Sequence, residues 1–131
     1  MHLKIGTRGS KLALTQTNFV AEKFKKVMPE ADIEICVIKT SGDIMQDVSL
    51  MKIGGQGVFV KEIEEALLSK KIDLAVHSMK DVPGETPDDL MFAAILSRED
   101  FRDVLVARDN IKMEFMPRGA KIGTGSQRRG A

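Results

Sequence analysis

One pattern near the start constrains this chain more than any other: a short alternating run, a Gly/Ser turn, a long helical repeat and then a β-branched alternating run. Leu3-Lys4-Ile5 alternates, and Gly6 to Ser10 is a turn cluster. From Lys11 to Val27 the apolar residues Leu12, Phe19, Val20, Phe24 and Val27 recur at helical spacing. Ser10 stands where a helix N-cap belongs, because its hydroxyl can accept a free first-turn N–H. After Pro29, the stretch Asp32 to Thr40 sets Ile33, Ile35 and Val37 against Glu34, Cys36 and Ile38, which reads as a strand. Strand, helix, strand is a βαβ unit.

A second unit follows a Gly-rich loop. Phe59, Ile63 and Leu67 lie four apart on one helical face, and Ile72 to His77 reads as a buried strand. Met91 to Leu96 and Val104 to Ala107 are further short apolar strands, and Ala120 to Thr124 another, turning at Gly125 into a helix. Alternation of this kind implies an open α/β sheet with parallel pairing. Ligands of such sheets sit at the carboxyl ends of the strands. The charged stretch Ser97 to Asp103 between two apolar runs is a seam, either an inter-domain crossing or a loop.

The 131 residues, 43% hydrophobic and 30% charged, suit one compact core without a second complete domain. The longest purely apolar run, Met91 to Leu96, is far short of the roughly 20 residues of a membrane helix. The first residues lead straight into strand-like sequence without the apolar segment of a secretory signal, so the chain reads as cytoplasmic. A single cysteine, Cys36, excludes an internal disulfide, and with only His2 and His77 beside it no zinc spacing exists. Cys36 reads as a small core residue and His77 as a packed strand-end histidine. A net charge of +1 and the absence of Trp and Tyr argue against nucleic acid as a partner. Charge is uneven nonetheless: Asp81 to Asp103 holds seven acids against two arginines, and Lys112 to Ala131 five basic residues against one acid. These are either two solvated faces or, at the basic end, help for an anion.

Three turns share a chemistry: Gly6-Thr7-Arg8-Gly9-Ser10, Gly54-Gly55-Gln56-Gly57 and Gly123-Thr124-Gly125-Ser126-Gln127-Arg128-Arg129. Small residues let backbone N–H groups approach an anion, and a helix start favours negative charge. Two of the three add arginine, whose planar fork fits a carboxylate or phosphate. Each alone is ordinary turn chemistry; together they point to a ligand with several anionic groups. Nucleotide fingerprints fail, since Val60 stands where the dinucleotide motif wants its third Gly and no Gly-Lys-Ser/Thr follows a candidate phosphate loop. Lys80 and Asp81, directly after the Ile72 to Val76 strand, place a cation and a carboxylate at the expected crevice, where the lysine would keep the aspartate anionic. The plain alternative is an exposed turn before Pro83.

Four blocks carry a resemblance: Thr7-Arg8-Gly9-Ser10-Lys11-Leu12-Ala13-Leu14, Gly54-Gly55-Gln56-Gly57-Val58-Phe59-Val60-Lys61-Glu62, His77-Ser78-Met79-Lys80-Asp81-Val82-Pro83 and Gly123-Thr124-Gly125-Ser126-Gln127-Arg128-Arg129. In this order they resemble the hydroxymethylbilane synthase (porphobilinogen deaminase) family. The resemblance implies a type II periplasmic-binding-protein-like α/β sheet with helices on both faces. It implies head-to-tail condensation of four porphobilinogen molecules with loss of ammonia, in tetrapyrrole (haem) synthesis, primed on a dipyrromethane cofactor. By the same resemblance Asp81 would hydrogen-bond pyrrole N–H groups and stabilise an azafulvenium cation, and Arg8 would bind incoming carboxylates and assist proton transfer. Ser10, Lys80, Asp81, Thr124, Ser126, Arg128 and Arg129 would hold the dipyrromethane, with Phe59 against a pyrrole ring and Asp43 in the same cleft. The loop from Ile44 to Gly57 would be a mobile cover.

The resemblance also implies an organisation. Residues 1–96 would be most of a first domain, 97–103 an inter-domain crossing and 104–131 the opening of a second, with a third, cofactor-bearing domain absent. Cys36, inside a strand pattern, does not match the cofactor-bearing loop. Gln56 stands where many relatives have Lys, and Phe101 where Pro is common. The expected partners are small polycarboxylate pyrroles, with no nucleic acid and no membrane; the parent would be a monomer, and the 131 residues alone inactive. Two other readings stay open: a non-catalytic binding module for an anionic metabolite, and self-association through uncovered apolar surface and strand edges.

Overall fold

The computed structural model describes residues 1–44 and 59–130. The chain divides into two compact units, Met1–Ala93 and Ala94–Ala131, and each is described by itself.

The first unit is built on β1 (His2–Thr7), α1 (Lys11–Val27), β2 (Asp32–Val37), a single turn α2 (Ser41–Ile44), α3 (Lys61–Leu68) and β3 (Leu74–Ala75). The strands form a parallel sheet in the order β2-β1-β3, with Gly6 opposite both Cys36 and Ala75. Successive side chains of a strand point to opposite faces, and β1 divides its neighbours accordingly. Thr7, fully buried, hydrogen-bonds through its hydroxyl to Thr17 on α1 at 2.7 Å. On the other face a Cβ at Gly6 would fall 2.2 Å from Ile72 Cδ1, so only glycine admits the close packing of Ile72 there. Ile72 belongs with Ile63 and Ala66 of α3 to the core cluster, against which Cys36, Ile38, Leu67 and Ala75 pack.

Local signals set the helix ends. Ser10 caps α1, its Oγ accepting from the Ala13 N–H at 3.2 Å, as its position implies. α3 closes with Lys70 at φ 55°, where the Lys70 N–H donates to the Leu67 carbonyl and the Lys71 N–H to the Ala66 carbonyl. This is the left-handed cap usually taken by glycine.

Strand lengths depart from the sequence reading. β2 ends at Val37 rather than Thr40, because the chain turns to cap α2, although the Ile38 N–H still donates to the Thr7 carbonyl. β3 is two residues long rather than Ile72 to His77, with ladder bonds just beyond it from Asp73 N–H to Lys4 and from Val76 N–H to Gly6.

In the second unit the described elements are 3₁₀ turns at Arg108–Asn110 and Met113–Phe115 and a short α4 (Gln127–Gly130). The strands expected at Val104 to Ala107 and Ala120 to Thr124 do not form, nor does the one at Met91 to Leu96 across the unit boundary. Met91 and Val104 are each 82% exposed and Val106 92%. A strand is held by a neighbour's N–H and C=O groups, and among the described residues these apolar runs have no paired strand beside them.

Candidate functional site

A parallel sheet brings the carboxyl ends of its strands to one edge, and three charged side chains follow those ends here. Arg8 comes directly after β1, Asp43 from α2 after β2, and Asp81 from the 3₁₀ turn Met79–Asp81 after β3. Arg8 stands between the two acids. Its Nε and Nη2 donate to Asp43 Oδ1 at 3.2 and 2.6 Å, and its Nη1 lies 3.5 Å from Asp81 Oδ2. The Phe59 ring backs the guanidinium, its centroid 4.0 Å from Cζ. The side chains of Arg8, Asp43 and Asp81 are 17%, 20% and 24% exposed, so water screens these contacts only partly.

Asp43 is fixed by its own helix. The sequence Thr40-Ser41-Gly42-Asp43 forms a reciprocal cap: the Thr40 N–H and Oγ1–H donate to Asp43 Oδ2 at 3.2 and 2.8 Å, and the Asp43 N–H donates back to Thr40 Oγ1 at 3.3 Å. One carboxylate oxygen thus serves the cap and the other serves Arg8. Burial alone would raise the Asp43 carboxyl above the ordinary value, but the hydrogen bonds from Arg8 and Thr40 outweigh it and hold it below. Gly42 makes room for the aromatic ring, since a Cβ there would lie 2.2 Å from Phe59 Cε1.

The sequence offered Lys80 as the cation beside Asp81. Among the described residues the ion pair of Asp81 is instead with Arg8, and the 3₁₀ turn leaves Lys80 exposed and without an acidic partner. Asp81, Arg8, Lys80, Ser10 and Phe59 nevertheless line one open cavity of about 250 Å³ with His77 and Ser78. Burial pushes the His77 imidazole below its ordinary value, with Asp81 opposing and Arg8 reinforcing the shift, which favours the neutral ring. Ser78 Oγ donates to Gln16 Oε1 at 2.7 Å and so ties the end of β3 to α1. Neither Gln16 nor Ser78 was singled out from sequence; Ser78 lay inside a quoted motif, and nothing local marks Gln16.

The turn Thr124 to Arg129 belongs to the second unit. Thr124 Oγ1 accepts from the Ser126 N–H at 3.1 Å, the Ser126 carbonyl accepts from the Arg129 N–H at 3.2 Å, and the Arg129 guanidinium pairs with Asp103. The Arg128 side chain, the turn Gly54-Gly55-Gln56-Gly57 and nearly all of the expected cover loop lie outside the described residues. Also among the described residues, no helix is long and apolar enough to cross a membrane, and no cluster of His, Cys, Asp and Glu is arranged to hold a metal ion.

The family model described as "Porphobilinogen deaminase, dipyromethane cofactor binding domain" matches residues 3–131. A porphobilinogen deaminase of Syntrophus aciditrophicus is 59% identical over 127 residues, 97% of this chain and 42% of the relative. One from Brevibacillus brevis is 55% identical over 126 residues, and one from Clostridioides difficile 55% over 130, these matches covering 41% and 43% of the two relatives. The chain therefore spans about two-fifths of the length of these relatives. Matched by the family model over nearly its whole length, the chain belongs to the porphobilinogen deaminase family.

Proposed function

We propose that this chain supplies the Arg8–Asp81 wall of a hydroxymethylbilane synthase, an enzyme that joins four porphobilinogen molecules head to tail. Each step breaks the aminomethyl C–N bond of the substrate and releases ammonia. A C–C bond then forms to the free α-carbon of the growing chain, and that carbon gives up its proton. The observation that carries the reading is the placement of Asp81 in the cavity: it lies 3.5 Å from Arg8 Nη1, with no hydrogen-bond donor on its carboxylate among the described residues. It retains acceptor capacity for a pyrrole N–H. Its negative charge lies where positive charge would develop on the pyrrole as ammonia departs, and a fixed charge in a partly desolvated site needs no reorganisation to act.

The donor set also fits dipyrromethane, whose acetate and propionate groups need cations and whose ring N–H groups need an acceptor. When bound, dipyrromethane supplies the pyrrole carbon that receives the first substrate. Lys80 offers it an ammonium without an acidic partner among the described residues, Ser10 a hydroxyl in the cavity lining, and Asp81 the acceptor. Arg8, oriented by Asp43, presents its remaining N–H groups to a substrate carboxylate, and Phe59 fixes the plane of that guanidinium. Roles for Thr124, Ser126, Arg128 and Arg129 toward carboxylates rest on the resemblance alone. So do the division into 1–96, 97–103 and 104–131 and a monomeric parent; the cytoplasm is its proposed location, and the type II periplasmic-binding-protein-like topology has one observation beside the resemblance. The parallel order β2-β1-β3 supports that topology.

The test is Asp81→Ala and Asp81→Asn in the complete protein carrying this chain. Hydroxymethylbilane formation should fall by at least a hundredfold in both, with the far-UV circular dichroism unchanged. Turnover within threefold of the unsubstituted protein would refute the assignment.

A further inference from the structure

We infer that Glu62 is a positioning residue for Arg8, acting through α2. Glu62 stands in the first turn of α3, and its Oε1 accepts from the Ser41 N–H at 2.8 Å and from the Ser41 hydroxyl. Ser41 is the first residue of α2, and two residues on, Asp43 holds the Arg8 fork. A helix of one turn has no stability of its own, so α2 sits where its ends are tied. The Thr40–Asp43 cap closes it on itself, whereas the Glu62 contact fastens it to the rest of the protein. α3 is a firm anchor, with Val60, Ile63 and Ala66 all buried. The start of α3 therefore reaches Arg8 by two routes, through Phe59 beneath the guanidinium and through Glu62, Ser41 and Asp43 beside it.

The second oxygen of Glu62 sharpens the argument. Oε2 is buried and has no hydrogen-bond partner among the described residues. Burial alone would raise the Glu62 carboxyl above its ordinary value, but the bonds from the Ser41 hydroxyl and N–H outweigh it and hold it below. With Oε2 unpaired, the bond to the helix that carries Asp43 is what keeps a carboxylate at this position.

The inference rests on the proposed function only for what Arg8 does with a ligand, and its test needs no ligand. The Arg8 Nε–H signal in ¹⁵N spectra, assigned by its loss in Arg8→Lys, reports the Asp43 contact through its exchange with water. Glu62→Leu should speed that exchange at least fivefold while the backbone amides of β1 and α1 keep their protection. Glu62→Gln, which keeps an acceptor for Ser41, should restore it to within twofold. Unchanged Arg8 exchange in Glu62→Leu would overturn the inference, and so would a uniform acceleration of all amides, which marks a merely structural role. Should Glu62→Leu not fold, Ser41→Pro is read by the same criteria, because it removes both donors at a first helical position that suits proline. A complete protein without activity on porphobilinogen would sink the proposed function and leave this measurement standing.

Discussion

Asp43→Asn is nearly isosteric, and the hydrogen bonds around Asp43 say why it should nevertheless be costly. Oδ1 accepts from Arg8 Nε and Nη2, and Oδ2 from the Thr40 N–H and hydroxyl. An amide has one acceptor oxygen, so in either orientation its NH₂ meets donors, those of Arg8 or those of Thr40. Hydrogen bonds to a charged group contribute about 1.5–3 kcal/mol, and breaking a fully buried pair costs about 3–5 kcal/mol. Here each side chain keeps about a fifth of its surface in water, and Asp81 remains 3.5 Å from Arg8, so about 2 kcal/mol is the reasoned loss. With a urea m-value of about 1–3 kcal/mol per M, the midpoint should fall by about 1 M at unchanged m. The chain has no Trp or Tyr, so ellipticity from α1 and α3 is the signal to follow. The pH dependence has a definite sign. The carboxyl is held below its ordinary value in the folded state, so its contribution is present in full above the unfolded carboxylate pKa. It is lost as pH falls through the lower folded value, and the gap between the two proteins should close in acid. A midpoint within about 0.3 M of the unsubstituted chain at neutral pH would refute the reasoning.

Gly42→Ala should push the Phe59 ring off Arg8, since the new Cβ would meet ring atoms at 2.2 and 2.4 Å. Overpacking costs about 1–3 kcal/mol, and alanine's better helix propensity returns up to about 1 kcal/mol. Net destabilisation of about 1 kcal/mol is expected by the same denaturation assay, relieved by adding Phe59→Leu; a more stable single variant would count against the contact. Lys70→Gly should stabilise, because the left-handed backbone at φ 55° costs a lysine about 1 kcal/mol that glycine avoids. The melting temperature of the first unit should rise by a few degrees, and a fall would show that Lys70 does something besides capping α3.

What could be read from the sequence was whatever neighbours along the chain decide. α1 and its Ser10 cap follow from a 3.6-residue repeat and one hydroxyl, and β1 from alternation. Strand length is a property of pairs, which is why β3 shrank to Leu74–Ala75 although Ile72 to His77 is apolar throughout except Asp73 and His77. The same reason governs Met91 to Leu96, Val104 to Ala107 and Ala120 to Thr124, whose patterns promise a buried face without saying what covers it. The site was half legible. Arg8 and Asp81 each stood out at a strand end, but sequence proximity suggested Lys80 as the partner of Asp81, and the sheet brought Arg8 instead. The Thr40-x-x-Asp43 cap is a recognisable local pattern, whereas the tie from Glu62 to Ser41 joins separate segments and has no local signature.

The charge of the site bears on what it would choose. Among the described residues, Arg8 and Lys80 bring two positive charges, Asp43 and Asp81 two negative ones, and His77 is biased toward neutrality, so this cluster is balanced. A trap for phosphate or a simple dicarboxylate would carry surplus cations; here a pure anion would have to compete with Asp43 and Asp81 for the Arg8 donors. A ligand that brings both signs does not face that conflict, because its ammonium can meet Asp81 while its carboxylates meet Lys80 and the open side of Arg8. Porphobilinogen, with an aminomethyl group beside an acetate and a propionate, has that character. Calorimetry on the complete protein should therefore rank porphobilinogen at least tenfold tighter than succinate or phosphate, about 1.4 kcal/mol or more, with the preference lost in Asp81→Asn. Equal affinity for all three would mean that the two carboxylates facing Arg8 select nothing.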